Sequence, residues 1–265
     1  MSRPTITLTT DFGLRDPYVA EMKAVILSIN PNVTIVDVSH QIEKFNVRMG
    51  AYVLASAVPY FHKGTIHVGV VDPGVGTKRH PVVIQTECGY FVGPDNGLFA
   101  LAVKNIEGKM QMRRIANQKF MRLEMSDTFH GRDIFAPVAA YLAKGTPITD
   151  FGPKISQIRM LAFARVIRKR DSFLGEVIHI DDFGNIITNF GARELEAVKT
   201  KSSVSVKVKN VKLTLKLCKA YGDVEKQQPL AIIGSHNFLE ISVNQGSAAN
   251  VLKVEAGDEV VLYRS

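Results

Sequence analysis

Three acids, two guanidinium groups and an imidazole stand in segments that a fold could gather. Asp11 lies in "TTDFG" (residues 9–13), Asp72 and Arg79 in "VVDPGVGTKRH" (residues 70–80), and His130, Arg132 and Asp133 in "SDTFHGRD" (residues 126–133). Such groups together can hold a small polar molecule, orient it and take up a proton from it. Each also has a plainer reading. Asp11 can start a turn, His130 can be a half-buried histidine bonded to a carbonyl, and Asp72 with Arg79 can be a structural ion pair. Asp133 can be a carboxylate favoured at a helix start by the macrodipole. No H-x-x-x-H, H-E-x-x-H or cysteine-rich spacing occurs, and a guanidinium beside the acids opposes a divalent cation, so no metal is expected. The G-x-S-x-G elbow and the G-x-G-x-x-G fingerprint are also missing.

The surrounding pattern tells how these groups are positioned. "TITLTT" reads as a strand, and "DPYVAEMKAVILSIN" as a helix with Asp16 as N-cap, Pro17 in its first turn, and Val19, Met22, Val25, Ile26 and Ile29 at helical spacing. "VTIVDVS" is a second strand, "NVRMGAYVLASAVPYF" a second helix and "TIHVGVVD" a third strand. "PVVIQTE" and "GYFVGP" form a hairpin pair, "GLFALAV" a short helix, and "GRDIFAPVAAYLAKG" a further helix with Pro137 inside or starting its regular part. Strands alternating with helices predict an α/β domain whose mostly parallel sheet is flanked by helices. In such sheets ligands collect beyond the carboxyl ends of strands. That rule selects Thr9 to Gly13, then Asp37, Ser39 and His40, then Asp72 to Arg79, with "SDTFHGRD" leading into the last helix.

The character changes near residues 165–172. "FLGEVIHID", "GNIITNF", "SVSVKVKNVKLTLKL", "PLAIIG", "FLEISV" and "DEVVLYR" are short, β-rich and separated by Gly, Asn and Asp turns, as in a small antiparallel β-barrel. The lysines of the near-perfect alternation in "SVSVKVKNVKLTLKL" mark a wet, solubilising face. Two domains are expected, 1–167 and 168–265.

Of the 265 residues, 46% are hydrophobic and 22% charged, ordinary values for a globular chain. No apolar run approaches the ~18–20 residues needed to cross a bilayer. The opening residues go straight into strand-like alternation, so no signal peptide is expected. The net charge of +8 is uneven: residues 1–170 carry 22 basic and 13 acidic side chains, and the remainder 11 and 12. The excess thickens at Arg113, Arg114, Lys119 and Arg122 and in "ARVIRKR" (residues 164–170). Without aromatics interleaved among these charges, a solvated surface is the better reading than a nucleic-acid face. Cys88 and Cys218, far apart in sequence, read as buried thiols of a reducing cytoplasm.

Six motifs, "TLTTDFGLRDPYVAEMKAVI", "HVGVVDPGVGTKRHPV", "GPDNGLF", "TFHGRDIFAP", "IDDFGNIITNF" and "LEISVNQGSAA", stand in an order and spacing that resemble one family from end to end. It is the S-adenosyl-L-methionine (SAM) hydroxide adenosyltransferase family, related to the SAM-dependent fluorinase and chlorinase. The resemblance implies an N-terminal α/β domain, a C-terminal β-barrel and a homotrimer with active sites at subunit interfaces. It implies hydrolysis of SAM to adenosine and L-methionine at ribose C5′, with SAM as substrate and no cofactor. The catalytic set maps onto Asp72, Arg79 and His130, and Asp11 onto the grip on the ribose hydroxyls. Asp181 or its neighbour Asp182 matches the contact to the amino group, Phe183 a stacking face, and Asn185 a bond to the base. Ser235 matches a carboxylate-binding serine, although His236 follows it where the halogenases show Arg. Glu240, in "LEISVNQGSAA", is assigned to substrate binding as well.

Two other functions remain open. The halogenases have an aromatic residue at the position of Asp72 and a tyrosine at that of His130. A fixed carboxylate repels an incoming halide, which argues against halogenation. A SAM- or adenosine-binding sensor without catalysis would share most of these residues.

Overall fold

The computed structural model describes residues 3–104, 106, 108–200 and 202–264. The chain forms two compact units, Met1–Leu161 and Ala162–Ser265.

The first unit holds six strands, β1 (Thr5–Thr10), β2 (Thr34–Ser39), β3 (Thr65–Val70), β4 (Pro81–Gln85), β5 (Gly89–Pro94) and β6 (Gln111–Arg114), in the order β2-β1-β3-β5-β4-β6. The helices are α1 (Tyr18–Ile29), α2 (Val47–Ala57), α3 (Ala100–Lys104) and α4 (Ala136–Ala143). Pairings among β2, β1, β3 and β5 are parallel, whereas β4 runs antiparallel to both β5 and β6. The sheet is therefore mixed. The short connection between β4 and β5 permits only an antiparallel neighbour, as the expected hairpin required.

Strand alternation divides the core into two layers. Ile6, Leu8, Val68, Val83 and Val92 pack with Met22 and Ile26 of α1 and with Val138 and Ala139 of α4. Val82, Ile84 and Phe91 pack with Leu54 of α2 and with Ala102 and Val103 of α3. Sandwiched in this way, all six residues of β1 and of β3 are buried.

Two helix starts differ from expectation. Pro17, rather than Asp16, occupies the N-cap of α1, and no side chain caps it. The segment expected as one helix begins as a π-helical turn, Gly131–Phe135, and becomes α-helical at Ala136. Pro137 has no N–H to return to the carbonyl of Asp133, and that carbonyl instead accepts from the backbone N–H of Arg122 at 3.0 Å. Asp133 stands in the first turn of this element, the helix-start carboxylate expected, and is fully buried in an ion pair with Arg132.

The second unit contains β7 (Ile167–Arg168), β8 (Ser172–Ile180), β9 (Ile186–Gly191), β10 (Ser203–Val208), β11 (Val211–Cys218), β12 (Pro229–Ile233), β13 (Phe238–Val243) and β14 (Glu259–Tyr263), with α5 (Ala192–Glu196) and α6 (Ala248–Leu252). β14 pairs with both β10 and β8, which closes β8 to β14 into a seven-stranded barrel. The barrel is antiparallel except for a short parallel pairing of β11 with β12. Val204, Val206 and Val208 of β10 point inward, while the intervening residues are partly exposed, the expected wet face.

One buried titratable group links the first unit's stability to pH. His67, 2% exposed on β3, bonds through Nδ1 to Thr7 Oγ1 at 2.9 Å and stacks on Phe91. Burial pushes its pKa down to about 4, with the nearby His62 adding to the effect. The unfolded chain therefore binds a proton that the folded chain refuses, and stability present above pH 6.5 is lost as pH falls toward 4. Urea denaturation should show a larger loss between pH 7 and pH 4.5 for wild type than for His67→Gln, by about 2–3 kcal/mol. Equal pH dependence of the two proteins would rule this out.

Candidate active site

β3 ends at Val70, and two residues later Asp72 stands at the start of a tight loop. Backbone bonds from Val75 to Asp72 and from Thr77 to Gly74 fold the loop back on itself. Gly76 has φ +73°, and an added Cβ would lie 2.5 Å from the carbonyl oxygen of Asp127, so the loop tip requires glycine. The return brings Arg79 onto Asp72. Nε donates to Oδ1 at 3.0 Å and to Oδ2 at 2.9 Å, and Nη2 to Oδ2 at 2.5 Å. The two side chains are only 4% and 7% exposed, for Asp72 and Arg79 respectively. Arg79 also lies over the ring of Phe135 at 5.4 Å.

The same Nη2 stands 2.6 Å from His130 Nδ1. A guanidinium can only donate, so Nδ1 must accept and the neutral ring must carry its proton on Nε2. Burial lowers the pKa of His130 and the charge of Arg79 lowers it further, against the opposing charges of Asp72, Asp127 and Asp133. The three expected catalytic residues thus form one hydrogen-bonded line. Arg79 Nη1 is buried with no acceptor among the described residues.

Asp72 and His130 line a cavity of about 220 Å³ in the first unit, together with Asp11. Asp11, just beyond β1, is 6% exposed, and its Oδ2 accepts from the backbone N–H of Phe45 at 2.9 Å. Lys44 Nζ donates to the Asp11 carbonyl. His40 is not in the wall. It braces the Asp11 segment from behind, with Nδ1 2.9 Å from Thr10 Oγ1 and its carbonyl accepting from Gly13 N–H.

Sequence reasoning did not single out Lys44, Phe45, Tyr18 or Phe129, which also line the cavity. Phe12, Tyr18 and Phe129 meet edge to face at 5.2–5.8 Å, and Phe45 holds φ +66°, uncommon for a bulky residue. Lys44 and Phe45 follow β2, so the strand-end rule could have found them had it been extended five residues past His40.

In the second unit, Asp181 shapes the turn between β8 and β9. Its Oδ1 accepts from the N–H groups of Phe183 at 3.0 Å and Asn185 at 2.9 Å, and Oδ2 from Asn185 Nδ2 at 2.8 Å. Gly184 has φ +81°, and a Cβ there would lie 2.1 Å from Ser247 Oγ. The turn leaves Phe183 80% exposed and buries Asn185. Glu240, 5% exposed on β13, accepts from Tyr221 Oη at 2.8 Å. Burial raises its pKa, and the charge of Asp181 raises it further. Ser235 and His236 lie exposed in the turn that joins β12 to β13. The turn at Asp181, the Tyr221 segment and the β12–β13 turn therefore gather about Glu240.

The sequence model of the SAM hydroxide adenosyltransferase N-terminal domain matches residues 6–152, and that of the C-terminal domain residues 175–261. The (R)-S-adenosyl-L-methionine hydrolase of Salinispora tropica is 37% identical, over 97% of either chain. That of Methanocaldococcus jannaschii is 38% identical, over 97% of this chain and 95% of its own. A crystal structure of an uncharacterized conserved protein from Thermotoga maritima superimposes with a TM-score of 0.87 at 39% identity, covering 98% of this chain and all of that one.

The charge of Arg79 is one of the two forces that depress His130. Replacing it by a neutral donor in Arg79→Gln should raise the pKa of His130, read by NMR titration of the ring. A pKa that stays put or falls would mean that the guanidinium does not control the imidazole.

Proposed function

The chain belongs to the SAM hydroxide adenosyltransferase family, and we propose that it hydrolyses (R)-S-adenosyl-L-methionine to adenosine and L-methionine. The observation that carries this reading is the hydrogen-bonded Asp72–Arg79–His130 line, whose two ends, Asp72 and His130, stand in the wall of a cavity that Asp11 also lines. Water attacks ribose C5′, the C5′–S bond breaks, and its electron pair goes to sulfur, leaving neutral methionine. One water proton must depart. The sulfonium already activates the leaving group, so neither a metal nor an acid for that group is needed.

The hydrogen bonds suggest how the roles divide. Arg79 occupies the lone pair of His130 Nδ1, so His130 offers Nε2–H as a donor that orients water rather than as a base. Asp72 supplies the acceptor that aligns the nucleophile and takes its proton, a contribution of about 10²–10⁴-fold. Arg79 fixes that carboxylate. Asp11, held by Phe45 N–H, keeps acceptor capacity for the ribose hydroxyls. The aromatic wall suits a sulfonium cation and keeps competing water away. A halide entering here would meet the Asp72 carboxylate, which favours hydrolysis over halogenation.

In this proposal the second unit holds the remainder of the substrate. Phe183 offers a face for the base and Asn185 a hydrogen bond to it, while Ser235 and Glu240 serve the amino-acid portion. A carboxylate has about four acceptor directions, and Asp181 spends three on its turn, which leaves one toward the substrate ammonium. The assembly is a homotrimer with active sites at subunit interfaces, a reading supported by the exposure of Phe45 at 69% and Phe183 at 80%. A cytoplasmic location fits two free cysteines, and no helix among the described residues is long and apolar enough to cross a membrane.

Purified protein mixed with each SAM epimer should release adenosine and methionine, detected by chromatography, faster from the (R) form. Asp72→Asn should lower turnover by about 10²–10⁴-fold while adenosine binding survives. Absence of adenosine from both epimers would refute the hydrolase reading. Sedimentation should report three chains per particle, and a fully active monomer would exclude the interfacial site.

A further inference from the structure

We propose that Asp133 is a positioning residue for the reaction, holding His130 against Arg79 by tying the segment 122–133 shut at its base. The proposal rests on the hydrolase reading of the site for its kinetic consequence, though not for its structural one. Asp133 is not itself in the cavity wall and makes no hydrogen bond to Asp72, Arg79 or His130; its N–H donates to the carbonyl of Phe129 at 3.1 Å, and it is 0% exposed and contacted from both ends of the segment.

From one end, Ser126 N–H donates to Oδ2 at 2.9 Å, and Arg122 N–H to the main-chain carbonyl at 3.0 Å. Arg122 Nε also lies 3.5 Å from Oδ1. From the other, Arg132 Nε donates to Oδ1 at 2.7 Å and Nη2 to Oδ2 at 3.0 Å. Arg132 is anchored in turn, with Nη1 on Glu21 Oε2 of α1 at 3.0 Å and the guanidinium over the Phe129 ring at 5.0 Å.

What the closed segment carries makes this more than a local brace. Its carbonyl at Asp127 is the atom against which Gly76 packs, so the segment rests on the loop that bears Asp72 and Arg79. His130 is its last residue before the π-helical turn. That turn closes through the Ala136 N–H to Gly131 carbonyl bond, so the ring's approach to Arg79 depends on where the turn begins. The carbonyl that clasps Arg122 is available because Pro137 cannot bond to it. With the carboxylate removed, Ser126 N–H and the Nε and Nη2 of Arg132 lose their acceptor, Arg132 keeps its bond to Glu21, and the segment can drift while every group in the cavity wall is retained.

The test uses full-length Asp133→Ala and Asp133→Asn, with two readouts: the ¹⁵N signals of the His130 ring in the unliganded protein, and steady-state kinetics with (R)-SAM. In wild type the ring should be the Nε2–H tautomer with Nδ1 as acceptor. In Asp133→Ala the tautomers should mix and kcat should fall by up to about 100-fold, the cost of roughly 1 Å of misplacement. KM should change by less than about threefold, because no substrate contact is removed. Asp133→Asn keeps one oxygen for Ser126 N–H and should lose less. A folded Asp133→Ala with the wild-type tautomer, or with a lowered melting temperature but unchanged kcat, overturns the proposal, and so does a rise in KM alone. Should the alanine variant not fold, the asparagine variant decides by the same readouts. Should wild type release no adenosine, the ring signals still decide whether Asp133 positions His130, and only the hydrolase reading falls.

Discussion

The Asp72–Arg79 pair is the interaction on which the first unit's chemistry depends. Both side chains are nearly excluded from water, and neither charge could stay there alone. Desolvating an ion costs several kcal/mol, and mutual attraction offsets this only with good geometry and further hydrogen bonds. Three N–H···O contacts join the pair and Nη2 also reaches His130, while Nη1 is buried with no acceptor among the described residues. Because arginine does not give up its proton, the line has a fixed polarity. Asp72 can only accept, His130 Nδ1 can only accept, and the imidazole is left to donate from the far nitrogen.

That polarity needs a rigid frame. Asp72 hangs from the end of a strand buried along its whole length, and the loop beyond it is too short to wander. His130 comes from a distant part of the chain, and its placement passes through a less regular element, the π-helical turn. Such turns leave backbone groups outside the usual helical ladder. Here the freed carbonyl of Asp133 meets the N–H of Arg122, so the missing donor of Pro137 becomes part of the site's scaffolding.

The second unit works by different physics. Its barrel is held by inward-facing Val, Leu and Ile from alternate strand positions. Asp181 contributes most of its acceptor capacity to its own turn, which is how an 80% exposed phenylalanine keeps a defined position. Buried Glu240 is raised by desolvation and by the neighbouring acid, so its charge state is sensitive to any cation brought close to it.

Much of this was legible in the sequence because it follows from local rules. Strand and helix periodicity marked β1, α1, β2, α2 and β3, and the alternation in residues 203–217 marked a barrel strand pair with one wet face. The strand-end rule and the motif set singled out Asp11, Asp72, Arg79 and His130 before any distance was known. The sequence by itself determined which side chains were available and which ends of strands they occupied, since period and turn chemistry are properties of neighbouring residues. Only the tertiary structure decided the antiparallel pairing of β4 with β6, the strained backbone of Phe45, the burial of Asp133 and the tautomer of His130. The guanidinium that sets the tautomer arrives 51 positions from its imidazole, Phe45 N–H finds its carboxylate 34 positions away, and Asp133 is enclosed by partners brought back across a loop. No local pattern encodes such partners, because the partner exists only once the chain has folded.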